Sequence, residues 1–293
     1  DDNYAKALNL LLSLQKMMDT INMYNNIEAI YVLACQNNQE VDTYPDCIIN
    51  QNLKDTLKFN KGALINSVIR EFSIKYPNEA GNRGLNILSC VGNDAIIMSG
   101  EAKNAKGIVT GKSGRFSEQV ILHFPKKIRE KISINDKILI KSFGVGFKLH
   151  NYKDVFCKSL SPQLFNKMNI KNKNNKLVIP VTHIIPEHLI GAGSGLTSES
   201  GSLHIQTTDS SEMKKYKLDK IKLGDIIYIE NYDSSYQHGF LRNAWAVGII
   251  GQTNGPRAGY GPGITILMSS KKNNAKAKLE SSANIINYIK FIK

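Results

Sequence analysis

The sequence predicts an α+β protein with a β-rich core, barrel-like or sandwich-like, and peripheral helices. Three observations predict it. From residue 85 onward, short β-branched runs follow one another. Gly, Asn and Ser separate these runs, and those residues make turns. Helical spacing shows in only a few stretches, mostly towards the chain ends or between strands.

In chain order, the first element is an amphipathic helix over residues 4–20, with Leu8, Leu11, Leu12, Met18 and Ile21 near helical spacing. "AIYVLAC" (29–35) is a short β-rich run, and Pro45 punctuates the turn "DTYPDC". "LINSVIREFSIKY" (64–76) fits helix and strand equally. The strand series then reads "LNILSCVG", "AIIMSG", "KGIVTGK" and "QVILHF". It continues with "KILIKSFG", "KLVIPVTHI", "SLHIQTT", "DIIYIENY", "AWAVGII" and "ITILMSS". Helices are expected at 161–168, 210–218 and 278–292, the second of them capped by Asp209 or Ser210.

At 293 residues the chain has room for one large or two ordinary domains, and 42% apolar residues suffice for a packed core. A net charge of +13 invites a nucleic-acid reading. The lysines are dispersed, however. Their densest runs, "KNKNNK" (171–176) and "KKNNAKAK" (271–278), read as solvated loops. No RNP-like aromatic motif, zinc-finger spacing or basic helical stripe accompanies them, so charge alone supports nucleic acid as a partner. Cys35, Cys47, Cys90 and Cys157 form no Cys-x-x-Cys, and a chain this long needs no disulfide staples. Free thiols in a reducing cytoplasm are the expectation. No apolar run reaches the ~18 residues of a membrane span, and the acidic start "DDNY" is wrong for a secretory signal.

One internal echo stands out. "KISINDKILI" (131–140) and "KIKLGDIIYI" (220–229) share Lys-Ile-x-apolar-x-Asp-x-Ile-x-Ile. Asp136 and Asp225 each fall where a short turn enters an alternating strand, and such carboxylates bond their own turn backbone.

Several residues invite chemistry and carry a plainer reading beside it. Cys90, at a strand end, could be a nucleophile if a base lowered its pKa, but a buried thiol is the commoner state. His183, Glu187 and His188 resemble a metal set, yet Pro186 between the histidines breaks the helix that such spacing requires. Glu101, Lys103 and Lys106 on a loop read as a solvated ion-pair cluster. "GAGSGLTSESGS" (191–202) can cradle an anion with backbone N–H groups but lacks the lysine of a P-loop. Gln206, Thr207, Thr208 and Asp209 form a polar run after a strand, suited to ligand contact or to helix capping.

Four blocks carry a family resemblance: "LNILSCVGNDAIIMSGEAKNAKGIVTGKSG" (85–114), "GAGSGLTSESGSLHIQTTD" (191–209), "LDKIKLGDIIYIENYD" (218–233) and "AGYGPGITILMSS" (258–270). In this order they resemble domain-of-unknown-function family 4438 over residues 66–270. On this reading residues 1–65 are an N-terminal segment of mixed helix and strand, 66–270 the family-like core, and 271–293 a basic linker and helix. The resemblance implies a β-rich α+β fold and self-association, and supplies no activity. It also marks departures. Where the family pattern carries His-Ser-Asp and then a His within the last glycine loop, this chain has Gln252, Thr253, Asn254 and Tyr260. Where it tends to acidic residues, this chain has Ser202, Leu203 and His204. Gln, Asn and Tyr donate and accept hydrogen bonds but neither shuttle protons near neutral pH nor bind metal well.

The glycine-rich segments 100–114, 191–201 and 255–263 each abut a strand, which is best explained by convergence on a pocket or a subunit contact. The expected ligand site is Gly193, Gly195, Gln206, Thr208, Asn254 and Tyr260, with no metal and no cofactor. The sequence leaves three functions open. One is a binding protein for a small polar molecule whose site has lost its titratable groups. Another is an enzyme acting on a small polar metabolite. The third is a self-assembling homo-oligomer that uses the same loops as contacts.

Overall fold

The structure, a computed structural model, describes residues 27–29, 32–34, 72–74, 79–113, 119–133, 136–196, 202–206, 209–252 and 259–289. It is a β-rich α+β fold. The expected helix at 4–20, the "DTYPDC" turn, Cys35 and Cys47 lie outside these residues.

The first sheet contains β1 (Ile27–Ala29), β2 (Val32–Ala34), β3 (Phe72–Ile74), β4 (Asp94–Ile97), β5 (Lys106–Ser113), β6 (Gln119–His123) and β7 (Ile138–Ile140). Its spatial order is β1-β7-β4-β5-β6-β3-β2, with antiparallel neighbours throughout. Helix α1 (Glu79–Leu88) precedes β4. The run "LNILSCVG", expected as a strand, is the end of this helix and the turn after it. Leu85 and Leu88, three apart, are both buried, so the helical period overrides the β-branched local composition. Leu85, Ile97, Val109 and Phe124 form the core of this half.

Gly84 sits inside α1, and a Cβ there would meet nothing within 4 Å. Gly84→Ala should therefore stabilise the protein by about 0.5–1 kcal/mol through reduced backbone entropy in the unfolded chain, read as a higher urea midpoint. A lower midpoint would mean that the helix is not held as described.

Helix α2 (Lys126–Arg129) follows the first sheet, and β8 (Phe156–Cys157) leads into α3 (Pro162–Lys167). Ser161 caps α3 by accepting a hydrogen bond from the Leu164 N–H. The second half holds β9 (Lys171–Lys173), β10 (Lys176–Val181), β11 (His183–Ile185), β12 (Leu203–His204), α4 (Ser210–Lys215), β13 (Ile226–Asp233), β14 (Gly239–Gln252), β15 (Gly263–Ser270), β16 (Ala275–Leu279) and α5 (Ile285–Tyr288). One sheet runs β11-β13-β14-β15-β12, with β8 also on β15; a smaller one runs β16-β10-β9. The expected helix over 278–292 is instead the end of β16, which pairs parallel with β10, followed by the single turn of α5. Asp209 caps α4 with hydrogen bonds from the Ser211 and Glu212 N–H groups, at 2.8 and 3.2 Å.

Trp245 anchors the second core. Its ring stacks on Tyr228 at 6.1 Å, and its N–H donates to the Lys272 carbonyl and to Asn274 Oδ1. Burying such a ring removes a large apolar area from water while its one polar atom stays paired. The two halves meet where β5 crosses β14 and β15. Gly111 faces Gly251, and Thr265 Oγ1 accepts the Lys112 N–H at 2.8 Å.

The echoed turns fold alike. Asp136 accepts the Ser133 N–H at 2.8 Å, and Asp225 accepts the Lys222 N–H at 2.9 Å. Each carboxylate closes its own turn immediately before β7 or β13, as the sequence pattern anticipates.

Candidate functional site

Three segments meet at one end of the larger second-half sheet: 191–196, 202–206 and 259–263. The Gly191 N–H donates to the His204 carbonyl at 2.6 Å, and the His204 N–H donates to Ala192 at 2.9 Å. The Ala192 N–H reaches the Gly259 carbonyl at 2.8 Å, and the Gly261 N–H reaches Ile205 at 2.8 Å. Glycine is required here because backbone packs on backbone. A Cβ on Gly191 would lie 2.8 Å from Gly259 Cα, and one on Gly193, whose φ is +101°, would strike the Ser202 carbonyl.

His204 stands at the centre of this junction. It is buried, its Nδ1 lies 3.0 Å from the Gly261 carbonyl, and its Nε2 lies 3.2 Å from Ser202 Oγ. Burial pushes the imidazole below its usual pKa, and the Gly261 carbonyl only partly opposes this. The neutral ring then has one tautomer that fits: Nδ1–H donates to Gly261, and Nε2 accepts from the Ser202 hydroxyl. Tyr260, 41% exposed, lies over the ring with centroids 5.1 Å apart. Ser202 Oγ is also 3.4 Å from Gln252 Oε1. Ser202, His204, Gln252 and Tyr260, four of the positions where the resemblance implies departures from the family pattern, form one contiguous cluster.

Gly193 and Tyr260, both expected at the ligand site, thus come together around Ser202 and His204. Gln206 turns elsewhere: its side-chain amide donates to the His188 carbonyl at 2.6 Å. Gly195 also points away, its N–H donating to His238 at 2.7 Å, and a Cβ on it would meet nothing within 4 Å. Thr208 and Asn254 lie outside the described residues. Of the 100–114 segment, Gly111 approaches the junction by way of Gly251, the residue before Gln252, whereas Gly100 faces the Asp136 carboxylate. Sequence reasoning missed the Ser202–His204 pair. The available signal was alternation on a short strand, which puts residues two apart on one face.

The other candidates take ordinary partners. His183 Nδ1 is 3.8 Å from Asp225, and His188 is 2.9 Å from Glu212 on α4, so the two histidines serve different carboxylates. Glu101 pairs with Lys131 at 2.9 Å on the surface. Burial pushes the Cys90 thiol up and the Cys157 thiol to about 12, so neither is poised as a thiolate.

The family model for the N-terminal domain of DUF4438, a domain of unknown function, matches residues 47–166. The model for its C-terminal domain matches residues 167–289. The chain belongs to this family. The DUF4438 match is wider than the 66–270 marked by the quoted blocks, and its internal boundary falls at the end of α3, between the two halves of the fold. A solved structure, the crystal structure of TM1086, is 27% identical and superposes with a TM-score of 0.74, covering 90% of this chain and 95% of that one. No curated protein matches. None of the described helices is long and apolar enough to cross a membrane.

Proposed function

We propose that this DUF4438 protein binds a small polar molecule at the junction of 191–196, 202–206 and 259–263, without turning it over. The observation that carries this reading is the cluster around His204: a neutral ring of fixed tautomer, joined to Ser202 and capped by the half-exposed ring of Tyr260. Ser, Gln and Tyr supply donors and acceptors for a polar ligand. Gly193 lies in the proposed surround, Thr208 and Asn254 are expected there from the sequence, Gly195 and Gln206 are left out of it, and homo-oligomeric assembly in the cytoplasm belongs to the same proposal. A thermal-shift screen of polar metabolites, followed by calorimetry on the hits, tests it. Tyr260→Ala should weaken a hit about ten-fold and leave the melting temperature of the free protein unchanged. Hits indifferent to Tyr260→Ala, or a screen without hits, would overturn the reading.

A second reading has its own observation. The Ser202 hydroxyl faces an imidazole nitrogen whose other edge is oriented by a carbonyl, which is the arrangement of an activated nucleophile. Labelling of Ser202 by a fluorophosphonate, absent in Ser202→Ala, would favour an acyl-transfer enzyme over the binding protein.

A further inference from the structure

The two densest lysine runs, expected as solvated loops, form strands of one sheet. In "KNKNNK" (171–176), Asn174 and Asn175 both take left-handed backbone, with φ of +52° and +57°, and make the two-residue turn of a tight hairpin from β9 into β10. In "KKNNAKAK" (271–278), Ala275 begins β16, which pairs parallel with the other side of β10. The strand order β16-β10-β9 therefore carries both runs into one small sheet.

The register decides which face they share. Leu177, Ile179 and Val181 of β10 point into the core and are buried. Lys176, Val178 and Pro180 alternate with them and point the other way. On that outer face Lys173 stands opposite Lys176, Lys171 and Lys276 flank Val178, and Lys278 stands opposite Pro180. All these lysines are exposed. Lys171 with Lys173, and Lys276 with Lys278, make two rows about 10 Å apart, with about 7 Å from one lysine to the next. Lys176 lies between the rows.

The face lacks compensating charge. Glu280 accepts the Lys278 ammonium at 2.9 Å and feels Lys171 more weakly. Among the described residues Lys173, Lys176 and Lys276 enter no ion pair; the Lys176 ammonium donates to Asn273 Oδ1 at 3.0 Å. Lysines on edge strands keep sheet edges from pairing with other chains. That role leaves Lys176 unexplained: it lies on the central strand, and a like charge directly opposite Lys173 costs stability.

We propose that this face binds the phosphate backbone of a nucleic-acid duplex. A duplex carries a charge every ~1.7 Å of its axis and meets the whole lysine array at once, whereas a small anion leaves most of the array unpaired. No aromatic side chain stands among the lysines to stack on an unpaired base. Nor does an apolar one project to enter a lipid layer: Val178 is half-buried, Pro180 is buried, and the exposed Leu279 is in register with Val181 of the core-facing row. Lysine contacts of this kind position a backbone and read no sequence.

Fluorescence polarisation of a labelled DNA duplex of about 20 base pairs, titrated with the protein from about 50 to 200 mM salt, tests the proposal. Log K against log salt should fall with a slope of about −4 to −5, from roughly 0.9 per lysine. Lys171→Gln, Lys173→Gln and Lys276→Gln together should weaken binding about ten-fold and flatten the slope by roughly 3. The same charge removed outside this sheet, by Lys103→Gln, Lys106→Gln and Lys127→Gln at exposed positions, should leave affinity within about two-fold. Both triple variants should melt no lower than the wild type, because every replaced side chain is exposed and the first set relieves the Lys173–Lys176 repulsion. A single strand of equal length should bind more weakly, and neither phosphatidylserine vesicles nor polyglutamate should displace the duplex. Equal loss in both triple variants would reduce the binding to diffuse charge. Displacement by vesicles or polyglutamate would assign the face to a membrane or an acidic protein. Either result, tighter binding of the single strand, or wild-type binding in the first triple variant overturns the proposal.

Discussion

Gly111→Val should destabilise the protein by about 3 kcal/mol and lower its melting temperature by roughly 6–10 °C. A Cβ on Gly111 would lie 2.8 Å from Gly251 Cα, and one on Gly251 would lie 3.1 Å from Gly111 Cα. Both obstacles are main chain, so no side chain can swing aside to make room. A branched residue must therefore separate β5 from β14. That separation also strains the Thr265 hydroxyl, which accepts the Lys112 N–H and lies 3.3 Å from the Lys112 carbonyl. Because Gln252 follows Gly251 and touches Ser202, the disturbance reaches the His204 cluster. Gly239→Ala is the control: it lies at the start of β14 with nothing within 4 Å of the added carbon, and should change stability little. Equal melting of Gly111→Val and wild type would show that the two halves do not pack through this glycine pair.

The strands with strong alternation or dense β-branching are legible in the amino-acid sequence alone. β5, β6, β13, β14 and β15 each overlap the run that predicts them, and β14 extends beyond its run at both ends. Local signals failed where a distant partner decides. β16 reads "AKAKL", whose alternation is carried by two small alanines and an exposed leucine among lysines, and its pairing with β10 some hundred residues earlier makes it a strand. α1 was obscured by Ile and Val in a run too short to show its period. The same contrast holds at the candidate site. The need for glycine at 191, 193 and 259 was visible as composition, and what fills the missing Cβ space is another backbone rather than a ligand. Ser202 and His204 looked like mere replacements of acidic residues. Their role depends on the Gly261 carbonyl, fifty-seven positions beyond His204, which no local pattern announces.

Asp225→Ala should cost about 3 kcal/mol at pH 7.5, and the deficit should grow as the pH falls towards 5.5. The carboxylate is 4% exposed and accepts from the Lys222 N–H at 2.9 Å and from Asn284 Nδ2 at 2.8 Å. Truncation leaves both donors without that acceptor and loosens Asn284, which also caps α5. The pH dependence follows from the neighbour. His183 Nδ1 is 3.8 Å from Asp225, and burial holds its pKa below the usual histidine value while the carboxylate pulls it up. A histidine depressed in the folded state contributes stability that is present above its unfolded pKa and lost as the pH falls below it. Without Asp225 the depression deepens, so the variant loses more. Burial raises the Asp225 pKa, and that contribution has the opposite sign: it is present at low pH and lost as the pH rises through the folded value. The wild type therefore recovers stability on acidification through a group the variant lacks, and the two contributions widen the gap together. Urea titrations at pH 7.5, 6.5 and 5.5 read it directly. A gap that narrows towards pH 5.5 would show that His183 is not coupled to Asp225. The matching variant Asp136→Ala, which removes the acceptor of the Ser133 N–H and of the Ser99 hydroxyl, should show a deficit without this pH dependence, because these donors are a backbone amide and a hydroxyl rather than an imidazole.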